Sequence, residues 1–353
     1  MLITDAKQLT PQVLTTVLRH KGYLEPQATV KDVRILSSDE TNTSYIHRAA
    51  IRYTEARSLR KAPVAIFLKV TKPGLPFAQR EVTFYTKVAP RMYNRFDKKS
   101  LPLALCYDAY YDDDSARAHL LLDDISDKYF PAKQGLPPTE RHTMMVLEKL
   151  ANFHAYWWEN PALDEMDDLP TEESIAANEQ GYRDAYDPFL TEMQYSLSAR
   201  HREILDKLLA TGYPTLRRDN LLAGRRLSIV HRDAHPENVL YAFDSIKMID
   251  WQSWRIDAPT DDIAYFIACH FSSHTRRFKE KPMLQRYYDT LTRNRVQGYS
   301  WDDLWDDYRA SVARCILFLL RAWSPEKGKD WWRKHGELAL NAFDELDGMR
   351  VLP

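Results

Sequence analysis

Glycine is scarce in this chain. There are ten in 353 residues, with none between Gly22 and Gly74 or between Gly224 and Gly298. A P-loop or a dinucleotide fingerprint needs glycines at fixed spacing, so both are excluded, and a nucleotide site in those intervals must work with bulkier residues. Cysteine is scarcer still: Cys106, Cys269 and Cys315 form no CxxC pair and no zinc spacing. That usage fits reduced core thiols in a cytoplasm-like compartment. No sign of charge dominates. The 49 Lys and Arg stand against 50 Asp and Glu, a net charge of −1, without the basic excess expected of a nucleic-acid binder. Long apolar runs are missing too. The strongest, residues 315–320, has roughly a third of the length needed to cross a bilayer, and the first seven residues carry an acid and no apolar h-region of a signal peptide. The expectation is a soluble, cytoplasmic protein with neither nucleic acid nor membrane as partner.

What is present is a globular balance of 44% hydrophobic and 28% charged residues. The first third reads as a short amphipathic helix over 10–21, strands over 30–36, 45–53 and 64–70, a helix over 77–88 stopped by Pro90, and strands over 103–111 and 118–122. After Asp123 the pattern is mostly helical. A long helix opens at Thr139 with apolar positions Met144, Leu147, Ala151, His154 and Trp158, and further helices are expected over 188–209, 260–273, 283–292, 301–323 and 330–346. A β island at 228–230, 239–241 and 246–249 interrupts them. The fold class is therefore α+β, with a β-rich domain over 1–123 and a helical one over 124–353. Between Glu159 and Asp187 the chain is strongly acidic, with Arg183 as its only cation. Such a run either attracts a polyamine or forms a solvated loop.

The β island carries the chemistry: His231-Arg232-Asp233-Ala234-His235-Pro236-Glu237-Asn238, then Met248-Ile249-Asp250-Trp251. Phosphoryl transfer to an alcohol needs a carboxylate to orient the hydroxyl and accept its proton, and hard oxygen ligands for the magnesium on the phosphates. Asp233 can supply the first; Asn238 and Asp250 can supply the second. A hairpin turning at Asp244-Ser245 would bring the two ligands side by side. The H-x-D-x-x-x-x-N spacing alone would suit any polar surface loop. An apolar strand, a turn and a second strand ending in aspartate make it specific.

His231-x-Asp233-x-His235-Pro236-x-Asn238 with Ile249-Asp250-Trp251 resembles the aminoglycoside phosphotransferase and choline kinase superfamily, which has the protein-kinase-like bilobal fold. Within it, Asp250-Trp251-Gln252-x-x-Arg255 and Pro259-x-x-Asp262-Ile263-Ala264-Tyr265-Phe266 look most like the ecdysteroid-kinase-like branch, and Leu150-Ala151-x-x-His154-Ala155-x-Trp157-Trp158 is similar to the helix before the catalytic loop. The resemblance implies a small β-rich N-terminal lobe with one main helix and a larger helical C-terminal lobe. It also implies an enzyme, an ATP- and Mg2+-dependent phosphotransferase acting on a hydroxyl of a small molecule. Asp233 would be the catalytic base, Asn238 and Asp250 the magnesium ligands, and His231 and His235 would shape the loop. Asp262 would accept backbone hydrogens from it, unless it is only an acid at a helix N-terminus.

The same resemblance places the phosphate end in the first lobe. Lys69, within Phe67-Leu68-Lys69, would hold the phosphates while Glu81 on the next helix holds the lysine; Lys72 is a rival on the same connection. Asn42, Thr43 and Ser44 occupy the position of a kinase glycine loop, or else form a plain hairpin turn. Backbone groups near Asp123 and Ile125 would meet the nucleotide base, adenine or guanine alike. Trp251 stands where protein kinases have phenylalanine-glycine, which suits a fixed metal aspartate. Tryptophans such as Trp158, Trp254 and Trp331 mostly suit helix packing, though any in a cleft could stack on a flat apolar substrate or a quaternary ammonium. The acceptor could be a metabolite, a steroid-like alcohol or an antibiotic. The alternative is a non-catalytic nucleotide-binding scaffold. A protein kinase is disfavoured, because no Ala-Pro-Glu segment follows Asp250.

Overall fold

The computed structural model describes residues 1–54, 62–75, 77–93, 101–132, 138–166 and 168–352. Asp167, within the acidic run, lies outside them. In chain order come helix α1 (Pro11–His20) and strands β1 (Val30–Glu40), β2 (Ser44–Tyr53) and β3 (Ala65–Thr71). Helices α2 (Ala78–Thr83) and α3 (Ala89–Met92) follow, joined by a π turn (Phe84–Val88), then strands β4 (Cys106–Asp112), β5 (Arg117–Asp123) and β6 (Phe130–Pro131). Four helices are next: α4 (Glu140–Trp157), α5 (Glu172–Met193), α6 (Ala199–Thr211) and α7 (Thr215–Leu222). Short strands β7 (Ser228–Val230), β8 (Val239–Tyr241), β9 (Ile246–Met248) and β10 (Arg255–Asp257) lead to α8 (Thr260–Ala268), α9 (Ser273–Arg293), α10 (Trp301–Ala322) and α11 (Gly328–Glu345). The chain divides into two compact units, 1–130 with 240–254, and 131–239 with 255–353.

The first unit is an antiparallel sheet in the order β1-β2-β3-β5-β4. In β3 the side chains of Ile66, Leu68 and Val70 are fully buried and share a core with Leu14 and Leu18 of α1. Strand alternation then turns Phe67 and Lys69 to the other face. Helix α1 starts where Thr10 Oγ1 accepts from Val13 N at 3.2 Å, with Pro11 in its first turn. Pro90 does not stop the second helix as expected. The π turn before it shifts the bonding register, so Pro90 falls in the first turn of α3, where a missing N–H costs nothing. The late hairpin joins this unit. Ala242 N donates to Ser245 O at 2.8 Å to close its turn, while Met248 N donates to Pro102 O at 2.8 Å and Lys247 Nζ to Leu101 O at 2.6 Å.

The second unit is helical apart from β7 and β10, which pair antiparallel; β10 was not expected. Every residue of α8 is buried: residues 263–268 are apolar all round, and Asp261 and Asp262 of its first turn are matched by buried partners. Two prolines fall inside helices rather than at their starts, Pro188 in α5 and Pro282 in α9. The expected 188–209 helix is the end of α5 and all of α6, separated near Leu197. Much of the acidic run is helix α5, opened by a capping box at Thr171. Among the described residues no helix is long and apolar enough to cross a membrane.

Candidate active site

In the first unit, Lys69 lies on β3 opposite Ile46 of β2 and Leu120 of β5. Its Nζ donates to Glu81 Oε2 at 2.7 Å and to Asp250 Oδ1 at 2.7 Å. Strand, helix and hairpin each contribute one charged group to this cluster. Burial works against the ammonium, but the two carboxylates outweigh it and raise the Lys69 pKa. Glu81 is 3% exposed. Its burial pushes its carboxyl up, against the pull of Lys69, and Asp250 pushes the same way. Two carboxylates around one ammonium leave a net negative charge in a mostly desolvated place. Lys72, the rival, pairs instead with Glu40 at 2.7 Å and lies over the Tyr45 ring.

Asp250 follows β9 in the left-handed conformation, φ 65° and ψ 57°, which a non-glycine residue adopts only when its surroundings impose it. The imposition is visible. Trp251 is fully buried and stacks on Phe84 with centroids 4.1 Å apart and planes at 8°, and its Nε1 donates to Met248 O at 3.2 Å. Trp254 Nε1 donates to Arg80 O at 2.7 Å, and Arg80 Nη2 returns a bond to Trp254 O at 2.6 Å. The aspartate is thereby fixed to the helix that presents Glu81. Trp251→Ala is expected to destabilise the protein by about 3–5 kcal/mol, the usual cost of deleting a buried aromatic, read as a fall in the urea midpoint at unchanged slope.

In the second unit, Asp233 sits in the turn after β7. Asn238 Nδ2 donates to its backbone carbonyl at 3.0 Å and to its Oδ2 at 3.1 Å, and His235 Nε2 lies 3.6 Å from Oδ2. Burial would raise the Asp233 carboxyl, but His235, His231 and Asn238 together hold it below the ordinary aspartate value. With its amide nitrogen engaged, Asn238 keeps its side-chain oxygen as the end that can face a cation. The preceding residue, Arg232, is left-handed at φ 68°. Asp262, wholly buried, grips this bend: its carboxylate accepts from His231 N at 2.7 Å and Arg232 N at 2.8 Å, and it faces His154 Nε2 at 3.2 Å. The loop-holding role expected of Asp262 is thus the one its bonds describe, and His154 is the second support.

The remaining predicted positions are placed as follows. Asn42 is exposed at the tip between β1 and β2. Thr41 closes that turn, its Oγ1 accepting from Ser44 N at 3.0 Å and Thr43 N at 3.4 Å. Thr43 O accepts from Lys72 N at 2.9 Å, while Ser44 is buried with its hydroxyl unbonded. Asp123 ends β5, its N donating to Leu105 O at 2.8 Å and its carboxylate accepting from Tyr107 Oη at 2.9 Å. Ile125 O accepts from Lys128 N and Tyr129 N, both at 3.0 Å.

A family model, the ecdysteroid kinase-like family, matches residues 39–297, a stretch that takes in the Lys69 cluster, the Asp233 turn and Asp262. The chain belongs to the ecdysteroid kinase-like family. Its fold class is α+β, with the antiparallel sheet first and most of the helices after. Among solved structures it is similar to an aminoglycoside phosphotransferase from Alicyclobacillus acidocaldarius, at 15% identity and TM-score 0.49, covering 91% of this chain and 93% of that one. It is also similar to a spectinomycin phosphotransferase in complex with ADP and spectinomycin, at 14% identity and TM-score 0.49, with 97% of each chain covered. A choline kinase from Cryptosporidium parvum aligns at 13% identity and TM-score 0.47 over 97% of this chain and 95% of that one. No curated protein matches the sequence.

This ecdysteroid kinase-like chain also has functional neighbours that no spacing rule selects. Arg217 of α7 is buried between Asp261, at 2.8 and 3.0 Å, and Asp257, at 2.6 Å. Arg314 Nε adds 3.0 Å to Asp261, and Arg232 reaches Asp257 from the Asp233 turn. Asp257 ends β10 and Asp261 lies in the first turn of α8, and only their Asp-x-x-x-Asp spacing is a signal for the pair in sequence. A run of aromatic rings leads away from His235: His270 stacks on it at 5.9 Å between centroids, and His335 lies 5.4 Å beyond. Burial lowers His270 to about 3 and His335 to about 4, so both stay neutral. The acidic run is partly spent on structure. Glu159 Oε1 accepts from Arg226 N at 2.6 Å, Asp168 from Ile256 N at 3.1 Å and Glu179 from Tyr213 N at 3.0 Å, and Glu172 pairs with Arg218.

Proposed function

We propose that this protein is an ATP- and Mg2+-dependent kinase that moves the γ-phosphate to a hydroxyl of a small molecule. The observation that carries the reading is Lys69, held at 2.7 Å by both Glu81 and Asp250. A structural ion pair needs one carboxylate. The second leaves negative charge that a divalent cation can neutralise, beside an ammonium that can meet phosphate oxygens. The donor set fits magnesium: Asp250 offers carboxylate oxygens at a side chain 30% exposed, and Asn238 offers an amide oxygen. Among the described residues no group of three or more His, Cys, Asp or Glu could hold a metal alone. Mg2+ typically binds through one or two side chains plus phosphates.

In this reading residues 1–123 form the nucleotide lobe and 124–353 the catalytic and substrate lobe. Asn42, Thr43 and Ser44 cover the phosphates, and the segment from Asp123 to Ile125 meets the base through its backbone. Asp233, kept ionised, orients the acceptor hydroxyl and takes its proton at Oδ1 or Oδ2. Asp262 and His154 hold the turn so that the carboxylate need not reorganise. The bound metal would neutralise charge on the transferring phosphoryl group. Small metabolites, steroid-like alcohols and antibiotics are the acceptor candidates.

The test is a panel of such alcohols incubated with radiolabelled ATP. One acceptor at least should be labelled; EDTA should stop the labelling and added Mg2+ restore it. A Mg2+-dependent thermal shift with ATP that never yields product across the panel would assign the protein as a nucleotide-binding scaffold instead.

A further inference from the structure

We propose that the first unit carries a second small-molecule site, which takes an uncharged phenol- or indole-sized aromatic compound and acts on the Lys69–Glu81 pair. The site is a cavity of about 200 Å³ between the π turn, strand β4 and the segment after α1, bordered by Tyr23, Tyr85, Tyr93, Tyr107, Lys21 and Asp108. None of these residues belongs to the phosphate, metal or base-accepting set.

Size and chemistry narrow the occupant. The cavity is half open to solvent, and its volume has room for a ring with a substituent or a small fused pair lying against its walls. Four phenol rings border it. Two of them, Tyr23 and Tyr107, already meet edge to face at 4.9 Å between centroids, an arrangement that a third aromatic ring extends favourably. The charges at the rim are matched among themselves. Lys21 Nζ lies 3.4 Å from Asp108 Oδ1, and Asp108 Oδ2 lies 3.2 Å from His119 Nε2. Burial keeps the Cys106 thiol and the phenols of Tyr85 and Tyr107 protonated. An ion entering here would have to break an existing pair, whereas a neutral ring loses nothing.

The wall gives the site its consequence. Tyr85 lies one helical turn after Glu81 and belongs to the π turn, and π turns mark helix segments where register is locally adjustable and function is frequent. Filling the cavity braces Tyr85 and, through the same helix, the Glu81 carboxylate against Lys69. The binding stands on geometry alone; only its effect on nucleotide rests on the kinase reading.

Titration calorimetry on the full chain separates the two. Indole should bind the wild type saturably, and benzoate at the same concentrations should not. Ala109→Trp, which fills the cavity from β4, should weaken indole at least about tenfold. Thr86→Trp should do so from the exposed helix side, so that a folding defect in one variant leaves the other decisive. Indole should change the ATP affinity of the wild type and not of either variant. Indole uptake that does not saturate, or that survives both substitutions, overturns the site. Saturable indole binding with an unchanged ATP affinity overturns the coupling. If ATP does not bind at all while indole does, the kinase reading fails and the site stands.

Discussion

Asp233→Asn should reduce phosphoryl transfer by roughly 10²–10⁴-fold, the typical worth of a positioned general base, while ATP and Mg2+ bind as tightly as before. The substitution keeps the shape of the side chain and its capacity to accept from Asn238 Nδ2, now 3.1 Å away, so the turn held by Asp262 should survive it. What is lost is a proton acceptor. Because its neighbours hold the Asp233 carboxyl below the usual aspartate range, the base is ionised throughout neutral pH and no activation step is needed. Single-turnover kinetics against calorimetric ATP binding makes the separation. A variant that keeps full turnover would remove Asp233 from the mechanism.

A loss of stability as large as that expected for Trp251→Ala is expected at Arg217. Arg217→Met strips Asp261 Oδ1 of its guanidinium and leaves Asp257 to Arg232 and Asp261 Oδ2 to Arg314, and breaking a buried pair from one side costs about 3–5 kcal/mol. Arg217→Lys should rescue little, since one ammonium cannot replace the forked contact at 2.8 and 3.0 Å to Asp261. The pH dependence has a definite sign. Burial opposes the Asp261 charge, but Arg217, Arg314 and Arg232 overcome it and lower its pKa to about 2. A carboxylate depressed in the folded state adds stability that is complete above its unfolded value, near 4, and is lost as the pH falls toward 2. The difference between wild type and Asp261→Asn in urea unfolding should therefore be full at pH 7 and shrink below pH 4. A difference that stayed constant to pH 2 would show that Asp261 is not the titrating group.

Much of this was legible in sequence because local pattern and tertiary demand agree there. Strand β3 alternates as a strand with one core face does, and the strand–turn–strand from Val239 to Met248 carries its own hairpin signal. The Lys69–Glu81 pairing follows from one strand and the next helix. Pro188 and Pro282 misled because propensity penalises proline inside a helix whatever its surroundings. Both lie on exposed faces, as do Asp184 and Phe278 four residues earlier, so water can satisfy the carbonyls left without partners. Pro90 misled for another reason: a π turn resets the register, and nothing in residues 84–88 announces one. The Arg217 network and the rings beyond His235 join positions 25 to 65 residues apart, which no local spacing encodes. Lys69 and Lys72 differ in where their partners sit, Glu81 and Asp250 for one, Glu40 for the other, which strand position alone does not encode.

The assignment of residues 240–254 to the first unit has a consequence for how the protein is made. The chain passes between the units three times, so neither is a contiguous stretch that can finish folding by itself. When residue 130 leaves the ribosome, strands β1 to β5 have all been made, but Lys69 has one of its two carboxylates and Phe84 lacks the indole that stacks on it. More than a hundred further residues must be synthesised before Trp251 and Asp250 emerge to complete it. Until then the nascent sheet holds an unfilled place beside Phe84, and chaperones that shield apolar surface would have their longest engagement there.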